Sequence, residues 1–226
     1  MGLPMAEDQS PIPPTPTSEA YLAAGDRPLI PAASDPMKLF VAWLGEARDA
    51  ELNDANAMTV ATVDDEGWPD ARILLLKDVS PTGFTFYTNL GSAKARQLAA
   101  NPIASLLFHW KSMGRQVRIR GRVVPVPESA SDSYFAERAR ESQIGAWASD
   151  QSRPLPHREA LQARVEVFSE LYKDEDEVPR PPYWGGYCLM PVQYEFWQAQ
   201  AFRLHDRRQY LWDEAHARWL QNRLNP

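Results

Sequence analysis

The chain has 226 residues, a formal net charge of −6 and one cysteine, Cys188. A lone cysteine forms no internal disulfide, no Cys/His cluster has metal-ligand spacing, and a mild acidic excess argues against general nucleic-acid binding. No apolar run is long enough to span a bilayer and no basic-then-apolar leader opens the chain, so a soluble, cytoplasmic, metal-free protein is expected.

Eight of the twenty prolines fall in the first 36 residues, where no apolar period is visible. Residues 1–33 are therefore expected to be a disordered proline-rich arm, ahead of one folded domain over 34–226. That domain is large enough to bury ~70% of its unfolded surface. Order should begin at "SDPMKLFVAWLGEA", where Ser34 or Asp35 can cap, Pro36 suits a first turn, and Leu39, Phe40, Trp43 and Leu44 form an apolar stripe. "AMTVATV", "ARILLLK" and "FTFYTN" read as three antiparallel strands in a meander, divided by the turn-rich "DDEGWPD" and "SPTG". "SAKARQLAAN" reads as a short helix capped by Ser92, and "IASLLFHW" and "RQVRIRGRVVPV" as longer strands. Helical spacing returns in "SASDSYFAERARESQIGAWAS" and "HREALQARVEVFSELY", before the strand-like "YCLMPVQYEFWQAQ", "RLHDRRQYLWD" and "ARWLQNRL". Many β-runs with a few inserted helices predict a mainly β, α+β architecture: an antiparallel barrel carrying helices, not a doubly wound parallel sheet.

The sequence contains neither a G-x-G-x-x-G after a strand nor a Walker A loop, so any phosphate must be held by side chains and a helix N-terminus. In "YTNLGSAKARQ", Thr88 ends a strand, Ser92 opens a helix with free amides, and Lys94 adds charge. In "ARILLLK", Arg72 and Lys77 lie five residues apart and point to opposite faces of an extended strand. Tyr134, Arg138 and Ser142 fall at i, i+4 and i+8, which on one helix would align a phenol, a guanidinium and a hydroxyl suited to a phosphate monoester. "EFWQAQAFRLHDRR", if extended, puts Glu195, Trp197, Ala199, Ala201, Arg203, His205 and Arg207 on one face, a seat for a flat anionic ligand. Phe196, Phe202 and Leu204 would then face a core. The even-numbered arginines of "GRQVRIRGR" share a face with Gln116, which reads as a solvated strand before it reads as a nucleic-acid surface. Taken singly, each stretch also fits an ordinary surface. No Ser or Cys sits in a nucleophile elbow, so hydrolysis is not indicated.

Taken together, "RILLLK", "FYTNLGSAK", "NPIASLLFHW", "RQVRIRG", "YFAERARESQIGAWASDQS", "VPRPPYWGG" and "EFWQAQAFRLHDR" closely resemble the pyridoxine/pyridoxamine 5′-phosphate oxidase family, from about residue 36 to residue 226. The resemblance implies an FMN-binding split β-barrel of antiparallel Greek-key type. It also implies a homodimer with one FMN in each of two clefts between subunits. Carried over, Arg72, Lys77, Tyr87, Thr88, Lys94, Gln116, Gln151, Ser152, Trp197 and Arg207 would hold FMN. Lys77, Tyr134, Arg138 and Ser142 would hold the substrate phosphate, and Arg203 and His205, the implied catalytic pair, would lie over the pyridine ring. The implied chemistry is hydride removal from C4′ of pyridoxine or pyridoxamine 5′-phosphate to N5 of FMN. Dioxygen then reoxidises the flavin, giving hydrogen peroxide and pyridoxal 5′-phosphate, with ammonia released from the amine. Competing readings are an NAD(P)H flavin reductase on the same barrel and a non-enzymatic pyridoxal phosphate binder. The chain departs from the family at Ala93, Ala139, and Ala199-Gln200, where Arg, Pro and Gly-Gly are usual. Arg96, one turn beyond Ala93, is expected to fold back toward the FMN phosphate in compensation.

Overall fold

Across residues 12–25 and 27–226, which the computed structural model describes, local sequence signals start the helices. Thr17 caps α1 (Ser18–Ala24). Asp35 caps α2 (Pro36–Ala50) by accepting the amides of Met37 and Lys38, with Pro36 in the first turn. The strands are β1 (Ala57–Val63), β2 (Pro69–Leu75), β3 (Asp78–Ser80), β4 (Gly83–Asn89), β5 (Ile103–Trp110), β6 (Arg115–Pro125), β7 (Trp184–Gln198), β8 (Asp206–Asp213) and β9 (Arg218–Arg223). Helix α3 (Ala93–Ala100) follows β4, capped by Ser92 as expected, and α4 (Glu128–Ala136), α5 (Arg140–Ala148) and α6 (Arg158–Leu171) lie between β6 and β7.

One antiparallel sheet runs β2-β1-β5-β6-β7-β4-β3. The fifteen-residue β7 organises it, with β6 along one side and β4 then β8 along the other, so the sheet curls into a half-barrel. Strict alternation in β5 and β6 turns one face inward, and the α2 stripe covers that face. Phe40 meets Phe84 and Phe108 at centroid distances of 5.0 and 4.9 Å, and Trp43 meets Phe196 at 5.2 Å. A smaller cluster of Phe135, Ile144, Val178 and Trp184 ties α4 and α5 to the start of β7.

Two expectations are corrected. The three early strands do not form a meander: β1 and β2 pair, but β4 joins β7 on the far side of the sheet. Nearly every residue of β4 is buried, so it needs a long neighbour, and short-range pattern does not say which. Disorder over residues 1–33 is also too broad, although residues 1–11 and 26 lie outside the described residues. Ile30 is buried, its amide donates to Asp206 (2.7 Å), and Arg208 donates to its carbonyl (3.2 Å). The Gln200 side chain accepts the Arg27 amide and donates to the Arg27 carbonyl, at 2.9 and 2.8 Å. These bonds span more than 170 residues of sequence, so no local period announces them. No described helix is long and apolar enough to cross a membrane.

Candidate active site

A cleft of about 720 Å³ opens between β4, the start of β7, and helices α4 and α5. Lys77, Tyr87, Thr88, Tyr134, Arg138, Ser142 and Gln151 all line it, and no carboxylate does among the described residues. The helical stripe expected through 134, 138 and 142 is interrupted: α4 ends at Ala136, α5 begins at Arg140, and Ala139 is extended. Gln143 stabilises the break by donating to the Phe135 carbonyl (2.8 Å). The three side chains therefore reach one cleft from a helix end, a link and a new first turn.

Aromatic rings form one wall. Tyr87 pairs across the sheet with Gly186, where a Cβ would stand 2.6 Å from the tyrosine ring, so only glycine lets that ring lie on the strand. Tyr87 stacks on Tyr134 (4.2 Å, 17°) and on Trp184 (5.4 Å, 3°). The Lys77 ammonium lies 5.6 Å from the Tyr134 ring centre and the Arg138 guanidinium 4.9 Å from that of Trp184. Arg138 has a buried Nη1 with no hydrogen-bond partner, and burial pushes its pKa down. A cation in that state has an unmet demand for an anion.

A second cation, hydrogen-bonded but in no ion pair among the described residues, is buried at Lys94. Lys94 is 6% exposed, and its ammonium donates to Thr88 Oγ1 (3.2 Å), Gln151 Oε1 (3.1 Å) and Ser92 Oγ (3.4 Å), all neutral. Burial first, then the Arg72 charge, push its pKa down to about 8. Arg72 is fixed by the Val60 carbonyl (3.1 Å), Thr62 Oγ1 (2.6 Å), Asp70 and Gln97. Arg72 and Lys77 thus serve different places, as their spacing implied. Gln151 joins this group, whereas Ser152 sits exposed in a left-handed turn (φ 66°) and does not line the cleft. Arg96 does turn back toward the start of α3, where its Nη1 donates to the Gly91 carbonyl.

Residues 195–208 are not one extended face. β7 stops at Gln198 and β8 starts at Asp206. Between them runs a 3-10 turn, Ala201–Arg203, with Phe202 and Arg203 at φ 53° and 62°. Phe196 is buried as expected, but Phe202 and Leu204 are exposed, because a seven-residue connection, unlike a strand, has no period-two face. Trp197 and Arg207 still lie side by side, since the hairpin pairs them. The register extends that row to Gln116 and His109 on β6 and β5.

Arg207 is held by Glu195, 3% exposed, whose Oε1 accepts from Nη2 (2.8 Å) and Nε (3.0 Å) while Oε2 accepts from Arg118. Glu195 was missed as a site residue, although it stood on the Trp197 face in the sequence. The His205 ring lies 4.5 Å from that of Trp197, and its Nδ1 accepts the Gln200 amide (3.3 Å), which leaves the ring proton on Nε2. Burial, then Arg203, lower its pKa and favour this neutral form. Arg203 is exposed, and its Nε donates to Tyr21 Oη (3.2 Å), a partner no local pattern could reveal.

Trp184 opens β7 and Trp197 nearly closes it. None of Gln116, Trp197, Arg203, His205 and Arg207 lines the cleft of Lys77 and Arg138.

The family described as pyridoxamine 5′-phosphate oxidase matches residues 44–172, and the one described as pyridoxine 5′-phosphate oxidase C-terminal dimerisation region matches residues 184–226. The chain is 54% identical to a pyridoxine/pyridoxamine 5′-phosphate oxidase of Hyphomonas neptunium, over 95% of this chain and 98% of that one. It is 52% identical to its counterpart in Caulobacter vibrioides, over 98% and 100%. Among solved structures, PhzG from Burkholderia lata, in complex with tetrahydrophenazine-1-carboxylic acid, is 34% identical. It superposes with a TM-score of 0.80 over 86% of this chain and 94% of that one. An FMN-binding protein from Nostoc punctiforme, 18% identical, shares the fold at a TM-score of 0.67, over 86% and 100%. Both architecture and sequence therefore place this split-barrel chain in the pyridoxine/pyridoxamine 5′-phosphate oxidase family of oxidoreductases.

Proposed function

We propose that the protein is a homodimeric, FMN-dependent oxidase that converts pyridoxamine and pyridoxine 5′-phosphates to pyridoxal 5′-phosphate with dioxygen as acceptor. The observation that carries this reading is the cleft around Arg138, whose Nη1 is buried and unpartnered beside Lys77, Tyr134 and Ser142, with no carboxylate on the lining among the described residues. A guanidinium can take two oxygens of a phosphate monoester while hydroxyls and an ammonium take the rest. Lys94, Arg72, Thr88, Gln151 and the first amides of α3 offer a second anion seat, fitting the phosphate of FMN. On this reading Tyr87 and Lys77 border both ligands, and Ser152 comes into contact only if its turn shifts. Gln116, Trp197 and Arg207, which do not line the cleft, would reach the flavin from a second copy of the chain, a reading that the match to a C-terminal dimerisation region supports.

When bound, FMN would supply the redox chemistry, two-electron oxidation of the substrate carbon with dioxygen as the final acceptor and hydrogen peroxide as its product. For the amine, water supplies the aldehyde oxygen and ammonia leaves. The protein's own contribution is position and charge. Arg203 orients the pyridine ring, and neutral His205, with its proton on Nε2, donates a hydrogen bond to it. Lys77, Tyr134, Arg138 and Ser142 anchor the far end. A second reading follows from the tricyclic carboxylic acid in the Burkholderia lata structure, but two cations and two hydroxyls in one cleft match a phosphate better than a monoanionic carboxylate.

The decisive test is anaerobic. FMN-loaded protein mixed with pyridoxamine 5′-phosphate should lose its yellow colour within the turnover time, and oxygen should restore it with peroxide formed. Colour that persists with both phosphorylated substrates, but bleaches with NADH or with a tetrahydrophenazine acid, would overturn the assignment.

Ala93 and Arg96 give a smaller effect. Because Arg96 already returns to the loop before α3, Ala93→Arg should tighten FMN binding by less than ~1.5 kcal/mol, and Arg96→Ala should weaken it comparably. Quenching of flavin fluorescence on titration into apoprotein measures both. An unchanged affinity in Arg96→Ala, with a tenfold gain in Ala93→Arg, would show that Arg96 compensates for nothing.

A further inference from the structure

The cleft leaves open how Arg138 is aimed. It sits in the break between α4 and α5, where no helix fixes its backbone, it forms no ion pair among the described residues, and its Nη1 has no hydrogen-bond partner. Its guanidinium instead lies 4.9 Å from the ring centre of Trp184 and 5.6 Å from that of Phe135.

We infer that Trp184 is a positioning residue for phosphate recognition: its indole face holds the Arg138 guanidinium in place. The inference rests on the reading of the cleft as a phosphate site. A carboxylate could also fix a guanidinium, but it would occupy the in-plane N–H donors and cancel the charge that a phosphate needs. An aromatic face attracts the cation from above its plane and leaves those donors free. Trp184 is built to be rigid. It is 6% exposed, stacks within 3° of parallel on Tyr87 and meets Phe135 edge-on at 5.0 Å. Its carbonyl accepts from Arg180 Nη1 (2.6 Å), and Arg180 Nε is itself held by Asp132 (2.6 Å). Lys77 over the Tyr134 ring repeats the device on the same aromatic column, so both cations face the cleft unneutralised.

The test compares binding of pyridoxal 5′-phosphate with that of pyridoxal, which lacks the phosphate, to FMN-loaded protein by equilibrium dialysis. Trp184→Leu should weaken the phosphorylated ligand about tenfold and leave pyridoxal unchanged. Trp184→Phe, with a smaller face in the same core position, should weaken it about threefold, again selectively, and serves if the leucine variant does not fold. In an Arg138→Ala background neither change should add more than about twofold. In turnover, KM for pyridoxamine 5′-phosphate should rise with kcat nearly constant. Equal loss for both ligands, or full additivity with Arg138→Ala, would reduce Trp184 to a packing residue and overturn the inference alone. If Arg138→Ala itself fails to erode the preference for the phosphorylated ligand, the phosphate reading of the cleft falls and this inference falls with it.

Discussion

Replacing Arg203 with leucine is expected to lower kcat/KM for pyridoxamine 5′-phosphate about a hundredfold or more while the flavin stays bound. The guanidinium stands on the connection between β7 and β8, anchored by Tyr21 Oη among the described residues, and does not line the cleft. Its loss removes a charged hydrogen bond worth ~1.5–3 kcal/mol and frees the ring to shift, and a misplacement of about 1 Å can cost ~10² in rate. Leucine inherits the same left-handed backbone, φ 62°, that arginine already adopts, so the turn itself gains no new strain beyond that of any branched side chain. Single-turnover flavin bleaching, with the flavin-to-protein ratio measured after gel filtration, separates the two effects. Turnover at the wild-type rate, or flavin lost before activity, would show that the hairpin's roles are reversed.

Lys94→Met should raise the dissociation constant for FMN by about a hundredfold, since a buried ammonium facing phosphate contributes on the order of 3 kcal/mol. The wild-type protein should also show a pH dependence that the variant lacks. On the proposed reading Lys94 would bind phosphate as the ammonium, and its pKa in the flavin-free protein is pushed down to about 8. The phosphate is already a dianion there, with its second pKa near ~6. Affinity should therefore be flat between about pH 6.5 and 7.5 and fall about tenfold per unit as pH rises past 8, as ever more apoprotein carries a neutral Lys94. For stability of the flavin-free protein the sign is opposite. Between about 8 and the ordinary lysine value of 10.5 the unfolded chain keeps a proton the folded chain has lost, so this group favours folding more as pH rises. A wild-type affinity constant from pH 7 to 9.5 would show that Lys94 is not the phosphate's cation.

Much of this protein was legible in its residues. The Asp35-Pro36 and Ser92 caps, the alternation in β5 and β6, and the motif runs from "RILLLK" to "FRLHDR" fixed the helix starts, the inward faces and the family, because each depends on neighbours within a few residues. Tyr134, Arg138 and Ser142, grouped by spacing, do line one cleft, although the single helix that suggested them is broken. Other features depend on partners remote in sequence. The pairing of β4 with β7, the docking of Ile30 on Asp206 and Arg208, the Tyr21 bond to Arg203, and the seat of Arg138 on Trp184 all join segments more than 40 residues apart. A hydrophobic period says that a face will be buried but not against what. The sequence by itself determined which cationic and hydroxyl side chains stand in these stretches. Only the tertiary structure decided that Lys94 would be buried and Arg138 half-buried with no ion pair to either among the described residues, and that the Trp197 row would lie outside the cleft.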